Sequence, residues 1–89
     1  MKFDDMIKMR NSKLLDLFIT QGYFPRGTAV SSTVVTEQFN SWLELNGLWM
    51  RKVGQHSMSC LMRNNDQLTT WRNPPSSTVA CLKVQPVVI

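Results

Sequence analysis

Apolar positions follow two regimes along this chain, a helical spacing from Asp4 to Arg63 and an alternating one from Leu68 onward. Between Asp4 and Gln21, Leu14, Leu15 and Phe18 form a stripe at i, i+1 and i+4, which Leu17 and Ile19 broaden. Phe3 followed by Asp4 and Asp5 supplies an apolar residue, a capping oxygen, and acid at the positive end of a helix dipole. Asn11 and Ser12 interrupt the stripe, so the segment reads either as two short helices or as one helix behind a frayed turn. Gly22 is its natural stop. Tyr23 to Ser31 reads as a connector, with Pro25 and Gly27 as punctuation.

Ser31, Ser32 or Thr33 can cap the next helix, which runs to about Asn46. Val35, Phe39, Trp42, Leu43 and Asn46 keep the 3.6-residue period of its buried stripe, and Gly47 ends it. A link from Leu48 to Lys52 leads to a third helix over about Val53 to Arg63, with Gly54 a weak point at its start. Met58, Leu61 and Met62 supply its dry side. Gln55, His56, Ser59 and Arg63 share the opposite side. Leu68 to Arg72, Asn73 to Ser77 and Thr78 to Val84 then read as strand, turn and strand, and Pro86 ends the pairing for want of an N–H. The expected fold is α+β, mainly α: a winged helix-turn-helix of three helices followed by a β-hairpin wing. All of residues 1–89 belong to one domain, with an N-terminal helical segment over 1–22, the helix-turn-helix over 31–65 and the hairpin over 66–86.

Composition narrows the function. The apolar share is 43% and the charged share 18%, an ordinary globular balance rather than that of a disordered tail. No apolar run approaches the roughly 18–20 residues of a membrane span. Asp4 and Asp5 stand where a signal peptide would have its apolar stretch, so a cytoplasmic protein with no membrane partner is expected. Cys60 and Cys81 read as two reduced, packed thiols. Charge is divided unevenly. Residues 1–47 balance five basic against five acidic side chains, whereas residues 48–89 carry five basic side chains against Asp66 alone. The whole excess of +4 therefore lies in the second part, which is the electrostatic footprint of a polyanion binder or of a solvated basic surface.

In a winged helix-turn-helix the second helix of the pair lies in the major groove, with the hairpin on the backbone or in the minor groove. Base edges are read by hydrogen bonds, and Gln55, His56, Ser59 and Arg63 offer amide, imidazole, hydroxyl and guanidinium groups for that work. Arg51 and Lys52 before the helix, and Arg72 and Lys83 on the hairpin, are the candidate phosphate contacts. Trp42 is expected in the core, while Trp49 fits either the core or the surface of its link. Packing under the wing is preferred for Trp71, with stacking on a sugar or base as the alternative. The methionines read mostly as gap-fillers.

Catalysis finds little purchase. His56, Cys60 and Cys81 are too few for a structural zinc site, and no CxxC or HxxxH spacing occurs. A Cys60–His56 nucleophile lacks an acid nearby in sequence to orient the imidazole. There is no Gly-rich phosphate loop and no catalytic pair of carboxylates, and Asp4, Asp5 and Asp16 read as helix-end and solvent residues. No enzyme, cofactor or metal is expected.

The runs "LLDLFITQGYF", "VVTEQFNSWLELNG", "VGQHSMSCLMRNN" and "TTWRN…STVACLKV" span Leu14 to Val84. Together this stretch resembles the C-terminal winged-helix domain of phage- and plasmid-encoded primase–helicases of the poxvirus type. Phe39, Trp42, Asn46 and Gly47 carry the closest part of the likeness. The resemblance implies the fold and double-stranded DNA as partner, in a small phage- or mobile-element-type regulator or replication accessory. It departs from the family at Ser57, which stands where the pattern has Leu, and at Pro74-Pro75, where such wings are often rich in Gly and Arg. It also lacks the ATPase and primase segments, so no replication chemistry carries over. A second class of function remains open: a protein–protein module docking on a host or replication protein through Trp49, Trp71 and the methionines. A homodimer through Leu45, Leu48 and Val87–Ile89 is a further candidate.

Overall fold

The computed structural model describes residues 3–25, 28–73 and 77–83. The expected first helix is two: α1 over Phe3–Ile7 and α2 over Asn11–Thr20. After them come β1 (Val30–Ser31), α3 (Ser32–Leu45), a 3-10 turn (Trp49–Arg51), α4 (Gln55–Arg63), and the strands β2 (Leu68–Asn73) and β3 (Ser77–Leu82). The three strands form one antiparallel sheet in the order β1–β3–β2. Two features escaped the periodic pattern. The connector from Tyr23 holds the two-residue strand β1, too short to alternate visibly, and the link after Gly47 is a 3-10 turn. The helix expected from Val53 begins at Gln55, with Gly54 as its N-cap. The expected turn at Pro74-Pro75 and everything from Val84 on, Pro86 and Val87–Ile89 included, lie outside the described residues.

Two glycines end helices as the sequence requires. Gly22 (φ 86°) and Gly47 (φ 76°) adopt the left-handed conformation that costs a residue without Cβ least. Behind Gly22, the Tyr23 N–H reaches back to the Phe18 carbonyl (3.2 Å) and the Gly22 N–H to that of Ile19 (3.0 Å). Behind Gly47, the Leu48 N–H binds the Leu43 carbonyl (2.7 Å) and the Gly47 N–H that of Glu44 (3.0 Å). Both are Schellman motifs, which bring the residue after the glycine against the helix's last turn. That places the Tyr23 ring on Phe18, with centroids 5.9 Å apart, and drives Leu48 into the core. Leu48 is therefore wholly buried and offers no dimer surface, whereas Leu45 is 78% exposed. At its other end α3 is capped by the Ser31 hydroxyl, which accepts from the Val34 N–H (3.4 Å).

The core joins Leu14, Leu15, Phe18 and Ile19 of α2 to Val35, Phe39, Trp42 and Leu43 of α3 and to Met58 and Met62 of α4. One face of the sheet completes it. Leu68, Ala80 and Thr78 are buried there, and Val30 and Leu82 pack against the cluster. Thr69, Trp71, Val79 and Cys81 alternate onto the other face. Cys60 and Cys81 are both free and half-buried. Among the described residues no helix is long and apolar enough to cross a membrane.

Candidate nucleic-acid interface

The amphipathic build of α4 decides what it shows to solvent. Met58 and Met62 are fully buried and Leu61 packs on the core, so the helix is anchored along one side. His56, Ser59 and Arg63, at i, i+3 and i+7, then share a face pointing away from it. His56 and Arg63 are exposed and Ser59 is half-buried. The Arg63 guanidinium touches the Cys60 sulfur at 3.3 Å and has no carboxylate partner among the described residues. Gln55 sits at the edge of this face, exposed, with its amide Nε2 donating to the Ser32 hydroxyl at 3.4 Å. No side chain caps the first turn of α4, because Gly54 has none to give.

A polar clasp sets the angle at which α4 leaves its link. Asn40 of α3 uses its amide as a backbone would: Nδ2 donates to the Val53 carbonyl, and Oδ1 accepts the Val53 N–H, both at 2.9 Å. The helical pattern of the sequence marks Asn40 only as a non-core position, so its part went unread. Replacing Asn40 with Ala leaves two half-buried backbone groups unpaired. That should cost about 1–3 kcal/mol in a urea unfolding experiment. A loss under about 0.5 kcal/mol would mean that the link is held without it.

The two cations just before α4 both have partners within the chain. The Arg51 Nη1 donates to the Ile7 carbonyl (3.0 Å), and Nη2 to the Met9 carbonyl (2.7 Å) and to Asn11 Oδ1 (2.9 Å). The guanidinium fork thus closes the end of α1 and the start of α2, and its donors are turned inward. Lys52 pairs with Glu44, the penultimate residue of α3, both side chains being about half exposed. Asp16, read from the sequence as a solvent residue, instead accepts from Asn65 Nδ2 (2.7 Å) and Gln67 Nε2 (3.2 Å). It ties α2 to the turn between α4 and β2.

On the hairpin, Arg72 and Lys83 are exposed, and the Lys83 N–H is held by the Gln67 carbonyl at 3.0 Å. Trp71 differs from its preferred reading. Pairing with Val79 puts it on the sheet face away from the core, and it is 43% exposed rather than packed beneath the wing. Trp49 settles on the surface at 67% exposure, while Trp42 is 2% exposed in the core as expected. Of the candidate contact residues, His56 and Arg63 on α4 and Trp71, Arg72 and Lys83 on the hairpin are exposed and have no ion pair among the described residues. Among the described residues no group of three or more His, Cys, Asp or Glu side chains is placed to hold a metal ion. Comparison with protein-family models, curated proteins and solved structures yields no match.

Proposed function

We propose that this chain binds double-stranded DNA as a winged helix-turn-helix, with α3 and α4 as the helical pair, α4 in the major groove and the β2–β3 hairpin as wing. The observation that carries the reading is the outer side of α4. A helix anchored by two buried methionines presents His56, Ser59 and Arg63 together, beside Gln55 and an uncapped first turn. Amide, imidazole, hydroxyl and guanidinium groups are the donors and acceptors that base edges in the major groove require. Trp71, Arg72 and Lys83 add one exposed ring and two exposed cations on the hairpin. The strand order β1–β3–β2, with β1 immediately before α3, supports the winged arrangement. The resemblance to the winged-helix domain of primase–helicases supports a regulator or replication accessory of a phage or mobile element.

Fluorescence anisotropy of a labelled random-sequence duplex, titrated at several salt concentrations, tests it. Log affinity should fall with log salt at a slope of about −0.9 for each phosphate contact. Arg63→Ala and Gln55→Ala should narrow the difference between preferred and random duplexes by about 1–3 kcal/mol, while Arg72→Ala should weaken both alike. Absence of binding at low salt would remove DNA as partner and leave the fold untouched.

A second reading, a module that docks on another protein, draws on Leu45 (78% exposed), Trp49 (67%) and Met50 (48%). These three apolar side chains near the end of α3 are far more exposed than core packing would leave them.

A further inference from the structure

A groove of about 630 Å³ lies between α2, Tyr23 and Pro25 just after it, and α3, with Phe18, Trp42, Leu45 and Glu37 also among its lining residues. We infer that it is the docking site for a peptide segment of a partner protein, one in which an aliphatic or aromatic side chain stands close to a Lys or Arg. The inference does not rest on the DNA-binding reading. Gln38, Ser41 and Leu45 project from α3 on the flank away from Asn40, which holds the link to α4.

The floor of the groove is rigid. Trp42 stacks on Phe39 at 5.8 Å and meets Phe18 edge-on at 5.6 Å, and its Nε1 donates to Gln21 Oε1 at 3.1 Å. A ring held on two sides and at its N–H cannot swing into the groove to fill it. The walls are apolar and open, with Tyr23 49% and Leu45 78% exposed. A volume in the range of about 300–1,000 Å³ accommodates one or two large side chains without rearrangement. The apolar anchor follows from these walls.

The basic residue follows from charge. Among the described residues that line the groove, Glu37 is the one charged side chain, and it is exposed with no ion pair among them. Glu44, the next acid on α3, is engaged by Lys52. On a chain of net charge +4 the groove is thus an acidic spot beside apolar walls, which favours a cation and disfavours an anion. The exposed face of the Tyr23 ring would add a cation–π contact to the carboxylate's attraction.

The test is selection of a displayed library of random dodecapeptides on the immobilised full chain, followed by binding of synthetic copies of the enriched sequences. Enriched peptides should carry a large apolar residue within a few positions of Lys or Arg. Their affinity should fall about threefold for Glu37→Gln, the size of an exposed ion pair, and about tenfold for Glu37→Lys or Leu45→Gln, or about 1.4 kcal/mol. Both residues are exposed, so all three variants should melt like the parent. The inference is overturned if no peptide is enriched, if those enriched lack a basic residue, or if the variants bind them unchanged. Sedimentation of the parent as a dimer that Leu45→Gln splits would overturn it too, by giving the groove to a second copy.

Discussion

Phe18→Ala is expected to destabilise the fold by about 3–5 kcal/mol, the upper range for removal of a buried ring. Phe18 is 1% exposed and meets three other rings: Tyr23 at 5.9 Å, Phe39 at 5.5 Å and Trp42 at 5.6 Å. Truncation loses the transfer free energy of the ring and opens a cavity. The neighbours cannot collapse into it, because Trp42 is fixed by its stack on Phe39 and its bond to Gln21. It also removes the apolar contact that accompanies the Schellman turn at Gly22, so the position of Tyr23 suffers with it. Small domains have only about 5–15 kcal/mol in total, so the variant should be substantially unfolded in mild urea. Equilibrium urea unfolding followed by tryptophan fluorescence gives the number, with Leu45→Ala as the surface control, expected within about 0.5 kcal/mol of the parent. A loss below about 1 kcal/mol for Phe18→Ala would show that the aromatic cluster is not the keystone of the helical layer.

What the sequence made legible follows a physical rule. The stripe Val35, Phe39, Trp42 and Leu43, the stops at Gly22 and Gly47, and the two-sided α4 all depend on residues within one or two helical turns of each other. Local periodicity records such features directly. Alternation likewise located the hairpin, whose strands are neighbours in sequence. The features that went unread join distant parts of the chain. Strand β1 exists only through Val30 pairing with Ala80 and Ser31 with Val79. Asp16 finds its partners about fifty residues away, in Asn65 and Gln67. Leu48 looked like a free apolar residue in a link, and the Schellman turn that buries it is visible only in the backbone.

The same rule applies to the candidate interface. His56, Ser59 and Arg63 sit on one helix, so spacing alone was enough to group them. Trp71 was misjudged because exposure of a strand residue depends on which sheet face is covered, and that is settled by how α2, α3 and α4 pack. The bonds of Arg51 went unread for a related reason. A basic residue shortly before a helix with a polar outer face reads as a phosphate contact, and nothing nearby in sequence reveals acceptors about forty residues upstream.

Arg51 accordingly supplies the second large effect, and it separates two roles that net charge cannot. Arg51→Met keeps much of the aliphatic stem and removes the guanidinium, leaving the Ile7 and Met9 carbonyls and Asn11 Oδ1 without their donors. Hydrogen bonds from a charged donor contribute about 1.5–3 kcal/mol each when buried. Here the guanidinium is only half-buried and the bond to Ile7 is exposed, so a total loss of about 2–4 kcal/mol is expected. Arg51→Lys should recover only part of it, since one ammonium cannot span three acceptors that a planar fork reaches together. Duplex affinity, measured where the variant remains folded, should stay within about twofold of the parent, and the salt slope should not change. Arg63→Met should do the reverse, keeping stability within about 0.5 kcal/mol while weakening DNA binding. If Arg51→Met instead left unfolding untouched and reduced the salt slope by about one, its guanidinium would be facing phosphate in the complex, and α1 would have to be held by other contacts.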